Sequence, residues 1–163
     1  MHGNKCILFY FLAQCKRLKL KNMNKLDEII EQFRDADFQE TLELLLDYAE
    51  DLPGIPEQFE GELENEANRV PECETPVYLF VDIINNTVNI YADVPPESPT
   101  VKGLVSILVS AFSGVSPDEV DSAPQDLLSR LGLAQKLGTR RMYGLGAVYN
   151  RIKKEVKNKA ILQ

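Results

Sequence analysis

Apolar residues recur at helical spacing along most of this chain and alternate at strand spacing in one central stretch. Leu26, Ile29, Ile30 and Phe33 fall three and four apart, the period of a helix with one buried face. Asp35-Ala36-Asp37 breaks that pattern and offers an N-cap. Phe38, Leu42, Leu45 and Ala49 continue on a second helix, with Leu46 widening the stripe. Leu52-Pro53-Gly54-Ile55-Pro56 stops it. Residues 57–68 show no sustained apolar face and predict an irregular, mostly solvated connection with a helical turn.

The period then changes. Residues 77–84 are rich in β-branched and aromatic side chains and predict a strand. Asn85-Asn86 suits a two-residue turn, because Asn tolerates positive φ. Residues 87–92 return as the partner strand, and 68–70 predict a short third one. Three prolines within residues 95–99 make the next segment a loop. Val101, Leu104, Val105, Leu108 and Phe112 mark a strongly apolar helix, stopped at Ser113-Gly114. Ser116-Pro117-Asp118-Glu119 is a capping box with proline at the first helical position, and Val115 and Val120 are placed as its hydrophobic staple. Residues 124–131 predict a short helix closed by Gly132. Met142, Leu145, Tyr149, Ile152 and Val156 predict the last helix, capped by Thr139 and frayed from about residue 157. Gly144 and Gly146 near its start cost about 1 kcal/mol each against alanine, which points to a close approach of another backbone. The predicted fold is α+β: two N-terminal helices, a small antiparallel sheet of about three strands, then C-terminal helices packed on one face.

Composition narrows the function. The chain has 163 residues and 44% hydrophobic content, enough for one domain with a real core. Its net charge of -7 argues against nucleic acid as the main partner. Residues 24–69 hold fifteen acids against three bases, and residues 70–163 hold ten of each. Solubility explains the acidic half, and a docking surface is the sharper explanation. Residues 1–22 differ from the rest. Their apolar run is too short to span a bilayer, and most of their charges follow it, unlike a secretory signal. We read 1–22 as a non-native or disordered extension, 23–158 as the domain and 159–163 as a frayed tail.

Three scattered cysteines make neither a disulfide framework nor a zinc site. The only histidine is His2, so Cys–His and Ser–His–Asp chemistry have no base within the domain. Cys73 stands out. It lies in Val70-Pro71-Glu72-Cys73-Glu74-Thr75-Pro76-Val77, at a turn feeding a strand and between two acids. Burial is the ordinary fate of a cysteine, but flanking glutamates make burial costly here. Cys73 is therefore a candidate reactive thiol. Glu72 and Glu74 should raise its pKa, and a nearby arginine should lower it.

The order of these motifs resembles the SufE family of sulfur-acceptor proteins, which work with cysteine desulfurases in iron–sulfur cluster assembly. The resembling segments are Leu44-Leu45-Leu46-Asp47-Tyr48-Ala49-Glu50-Asp51-Leu52-Pro53, the cysteine stretch, Asp93-Val94-Pro95-Pro96-Glu97-Ser98-Pro99-Thr100-Val101-Lys102-Gly103-Leu104, Leu131-Gly132-Leu133 and Arg141-Met142-Tyr143-Gly144-Leu145. They run in order across residues 24–156. Many members have glycine before the cysteine and an amide after it, where this chain has Glu72 and Glu74. The family's loop acid matches Glu97 best, with Asp93 second; its arginine matches Arg141, with Arg140 as fallback. An exposed loop acid and a surface ion pair are the plainer roles for Glu97 and Arg141.

The resemblance implies that Cys73 takes sulfur from the persulfide of a SufS-like, pyridoxal-phosphate desulfurase in the cytoplasm. It would pass the sulfur to a SufBCD-like scaffold. No cofactor, membrane or nucleic acid is implied for this chain itself. The residue inventory suits that step, since attack on a persulfide needs a thiolate, access and a leaving thiolate but no histidine. A binding module that activates a desulfurase without carrying sulfur is the alternative. Cluster assembly on this chain is disfavoured, because one domain cysteine cannot supply the usual ligand set.

Overall fold

The computed structural model describes residues 25–162, so the expectation for residues 1–22 lies outside it. Along the chain run α1 (Lys25–Arg34), α2 (Phe38–Glu50), α3 (Glu57–Glu60), β1 (Tyr78–Ile84), β2 (Thr87–Asp93), α4 (Pro99–Phe112), α5 (Pro117–Ser122), α6 (Leu127–Arg130), α7 (Ala134–Leu137) and α8 (Thr139–Ile161). The fold is α+β, as the patterning predicts.

The apolar helix α4 is the centre. Residues 103–109 are buried without a break, together with Ala111 and Phe112. A helix apolar on every side must be enclosed, and α1, α2, α8 and β2 pack around it. The tightest contact is with α2. A Cβ built on Gly103 would stand 2.0 Å from the Leu45 carbonyl oxygen, so only glycine admits this crossing. The buried face of α2 is Thr41, Leu45 and Ala49. Phe38 and Leu46, expected in that stripe, are 57% and 48% exposed. Phe38 is the first residue of the helix and Leu46 lies a quarter-turn from Leu45. The Asp37–Glu40 capping box closes the start of α2, and Ser116–Glu119 closes that of α5.

β1 and β2 form an antiparallel hairpin, from Tyr78 opposite Asp93 to Ile84 opposite Thr87. Asn85 and Asn86 have φ of 50° and 60°, as a two-residue turn of this kind requires. The sheet has two strands, not three: residues 68–70 contribute a single bridge, Arg69 to Tyr78. Pro71 has no N–H to extend a ladder, and the chain turns away there. Both edges nevertheless take further hydrogen bonds. The Leu79 N–H donates to Asn68 O. On the β2 side, Gly114 N–H donates to Val88 O, Val88 N–H to Val115 O, and Ile90 N–H to Ser113 Oγ. A bare two-stranded ribbon would be marginal in water. Leu79, Val81 and Ile83 face the core with Val88, Ile90 and Ala92. The acidic connection also does more than expected: Phe59 of α3 packs at a tilt against Phe80 and Tyr91 of the sheet, with ring centroids 5.1 and 5.9 Å apart.

The C-terminal half departs from expectation in several details: the helix predicted over 124–131 spans only Leu127–Arg130, and the pattern does not predict α7. Gly138, at φ 81°, precedes α8 in place of a Thr139 side-chain cap. Helical geometry also continues to Ile161, past the point expected to fray. Tyr149 Oη and Lys153 Nζ donate to Pro124 O and Ala123 O, fastening the segment between α5 and α6 to α8.

Gly103→Ala should lower unfolding stability by roughly 3 kcal/mol, because the new methyl meets backbone that cannot yield. Urea denaturation checks this; a loss under about 1 kcal/mol would contradict the tight crossing.

Candidate functional site

The loop between Arg69 and β1 is closed at its base. Val70 N–H donates to Val77 O over 2.8 Å, and both valines are buried. Pro71 and Pro76 restrict the chain just inside that clasp. The loop then turns back on itself, with Cys73 N–H donating to Val70 O at 3.1 Å. This geometry sends the Cys73 side chain inward while Glu72 and Glu74 remain at the surface. The cost of burying a cysteine between two glutamates is thereby avoided: Cys73 is only 7% exposed. Flanking acids argue for exposure only if they are buried with the cysteine, and the turn separates them.

The thiol sits against α8. Its Sγ donates to the Gly144 carbonyl oxygen at 3.4 Å. A Cβ on Gly144 would lie 3.2 Å from that sulfur, so Gly144 leaves the room that the thiol occupies. The helix-interior glycine predicted a close approach of another backbone. The Cys73 backbone is near, but the sulfur is nearer. Gly146 meets only Leu128 at ordinary distance.

Burial first, and the Glu72 carboxylate second, push the Cys73 thiol up to about 11. At pH 7 about one thiol in ten thousand is then ionised. The like-charge expectation holds for Glu72, but desolvation leads.

Cys73 lines an open cleft of about 910 Å³. Three separated segments meet there: the cysteine loop, the loop entering α4, and the start of α8. The cleft unites the three candidate residues Cys73, Glu97 and Arg141. Asp93, the second choice for the loop acid, pairs with Tyr78 in the sheet and does not line it. Apolar side chains such as Val101, Leu104, Leu145 and Val148 also line it. Glu97 and Arg141 are exposed, and Arg141 reaches back to Leu137 O at 3.5 Å. The ion pair at this rim belongs to Arg140, which bonds Glu74. Both partners are mostly solvated, so the pair contributes little stability. Sequence reasoning had Arg140 only as a fallback and missed its bond to Glu74, since nothing in the sequence sets residues 66 apart against each other.

Among the described residues, Cys73 is the free cysteine, and no group of three or more His, Cys, Asp or Glu side chains is placed to hold a metal ion. No described helix is long and apolar enough to cross a membrane.

Residues 27–156 match the family described as "SufE: Fe-S metabolism associated domain". The chain belongs to the SufE family. A SufE-like protein of Mycobacterium tuberculosis is 32% identical over 133 residues, covering 81% of this chain and 91% of that one. A solution structure of a hypothetical protein from Thermus thermophilus superposes with a TM-score of 0.73 at 31% identity, over 84% of this chain and 96% of its own. A chloroplastic quinolinate synthase of Nicotiana tabacum is 33% identical over 113 residues, which are 15% of that enzyme. Within the SufE match lie all three segments that form the cleft.

Iodoacetamide should modify Cys73 of the free protein with a rate that climbs to a midpoint near pH 11, followed by the mass of the Cys73 peptide. Glu72→Gln should move the midpoint downward by removing like-charge repulsion. A wild-type midpoint near the ordinary thiol value of about 8.5 would contradict the seated thiol. The raised pKa also makes folding stability full below pH 9 and lets it fall as pH rises through about 11. Cys73→Ser should abolish that alkaline component.

Proposed function

We propose that Cys73 accepts one sulfur atom from the persulfide of a cysteine desulfurase and carries it as its own persulfide toward an iron–sulfur cluster scaffold. Membership of the SufE family places the chain in iron–sulfur metabolism. What supports the finer reading is one observation: the cleft that holds the domain's thiol also gathers Arg140, Arg141 and Glu97 from distant segments. The partners are a SufS-like pyridoxal-phosphate enzyme upstream and a SufBCD-like assembly downstream, in the cytoplasm. The activity is that of a sulfurtransferase-like carrier and desulfurase activator.

The transfer needs little from this chain. The Cys73 thiolate attacks the outer sulfur of the partner's persulfide, a new S–S bond forms at Cys73, and the partner's cysteine leaves as thiolate. A seated thiol is a poor nucleophile because so little of it is ionised. The loop must leave its seat before it reacts. Once it is out, desolvation is relieved and Arg141 at the rim favours the thiolate. Glu97 on the loop entering α4 offers an acidic contact for cationic groups of the desulfurase. Docking therefore selects the opened loop, and the free protein keeps its thiol unreactive.

Incubation with a desulfurase, cysteine and pyridoxal phosphate should add the mass of one sulfur atom at Cys73. Cys73→Ser should keep the fold and lose both the added mass and the stimulation of the desulfurase. Stimulation that survives Cys73→Ser would establish non-covalent activation instead. Arg141→Ala should slow transfer on the order of tenfold, the scale of one charge-assisted contact, while thermal unfolding stays unchanged.

A further inference from the structure

We propose that the seat beneath Gly144 admits Cys73 only as an unloaded, uncharged thiol, so that acquiring a second sulfur ejects the residue into the cleft. The inference rests on the reading of Cys73 as a sulfur acceptor and adds what the fold does with the loaded form.

The seat matches a hydrogen-bond donor and has no spare room on the Gly144 side. Gly144 O accepts from the thiol at 3.4 Å, and a single added carbon on Gly144 would already crowd the sulfur at 3.2 Å. The charged groups nearest in the loop are Glu72 and Glu74, both anionic. From the other elements, α8 presents Arg140, already engaged by Glu74, and Arg141; the loop entering α4 presents Glu97. Both arginines stand at the cleft rim, exposed, so a cation awaits on the cleft side and a carbonyl oxygen on the seat side.

Loading changes the side chain in two ways. Cys73–SH and the partner's S–SH exchange to give Cys73–S–SH and the partner's SH; one S–S bond breaks, one forms, and both protons are kept. The product is longer by one S–S bond of about 2 Å. A hydropersulfide is also a stronger acid than a thiol, so its outer sulfur sheds its proton at neutral pH. An anion cannot donate to Gly144 O, and a buried anion without donors is costly. The cleft offers water, room and Arg141. Unloaded protein thus hides its thiol, loaded protein presents its sulfur, and discharge restores the donor that refills the seat.

Amide hydrogen exchange on the full chain tests this. Cys73 is loaded by a desulfurase with cysteine or, separately, by inorganic polysulfide, and loading is verified by the mass of the Cys73 peptide. Exchange in peptides spanning residues 70–77 should rise on the order of tenfold on loading, the effect of releasing the hydrogen-bonded loop. Equal exchange in loaded and unloaded protein overturns the proposal. Loading by polysulfide but not by the desulfurase would defeat the acceptor reading while the exchange comparison still decides the seat. Gly144→Ala, with its fold verified by circular dichroism, should exchange when unloaded as fast as loaded wild type. A folded Gly144→Ala that keeps the slow unloaded rate also overturns it; if it does not fold, the wild-type comparison decides alone.

Discussion

The backbone contact between Gly103 of α4 and Leu45 of α2 sets the geometry on which the other elements depend. With α2 pressed against it, α4 is enclosed from Gly103 to Phe112, apart from Ser110. Every neighbour is then placed relative to that buried cylinder: β2 on one side, α1 and α8 on others. The loop that enters α4 inherits a fixed exit direction, and so does Glu97 within it. Packing at interior density transmits such constraints with little slack. Cys73, 30 residues from Gly103 in sequence, thus has the walls of its cleft positioned by a glycine that does not line it.

The cysteine loop is held by a different balance. Its base is apolar and hydrogen-bonded through Val70 and Val77. Its tip is held by the Cys73 N–H bond back to Val70 O and, against α8, by one sulfur–carbonyl contact and one solvated ion pair, Glu74 with Arg140. Neither contact with α8 is strong: exposed pairs are worth under about 1 kcal/mol, and a thiol is a weak donor. The base is therefore firm and the tip lightly held. The burial that raises the thiol pKa is the same burial that removes it from solvent, so ionisation and access are coupled by one physical cause.

Charge is divided between the two halves more sharply than the totals suggest. α8 carries Arg140, Arg141, Arg151, Lys153, Lys154, Lys157 and Lys159 against the single acid Glu155, whereas α1, α2 and α3 are dominated by acids. The balanced count over residues 70–163 concealed this, because its acids lie mostly in the cysteine loop and in the segments before α8. The candidate thiol sits where the basic helix begins.

Much of this was legible from local pattern. The helical periods of α1 and α8, the two capping boxes, the Asn85-Asn86 turn and the all-apolar α4 each follow from residues within a few positions of one another, where backbone sterics and side-chain spacing act directly. The motif order likewise identified the family and the three candidate residues. What the sequence determined by itself, then, was the elements, the class and the chemistry at hand. Only the tertiary structure decided that residues 68–70 make a bridge and not a strand, that Phe38 and Leu46 stay exposed, that Phe59 covers the sheet, and that Cys73 is buried under Gly144 with its two glutamates outside. The reason is that burial belongs to pairs of surfaces. A residue's own type and neighbours set its cost of burial, but which face meets which partner, across 71 residues for Cys73 and Gly144, is settled only when the whole core packs.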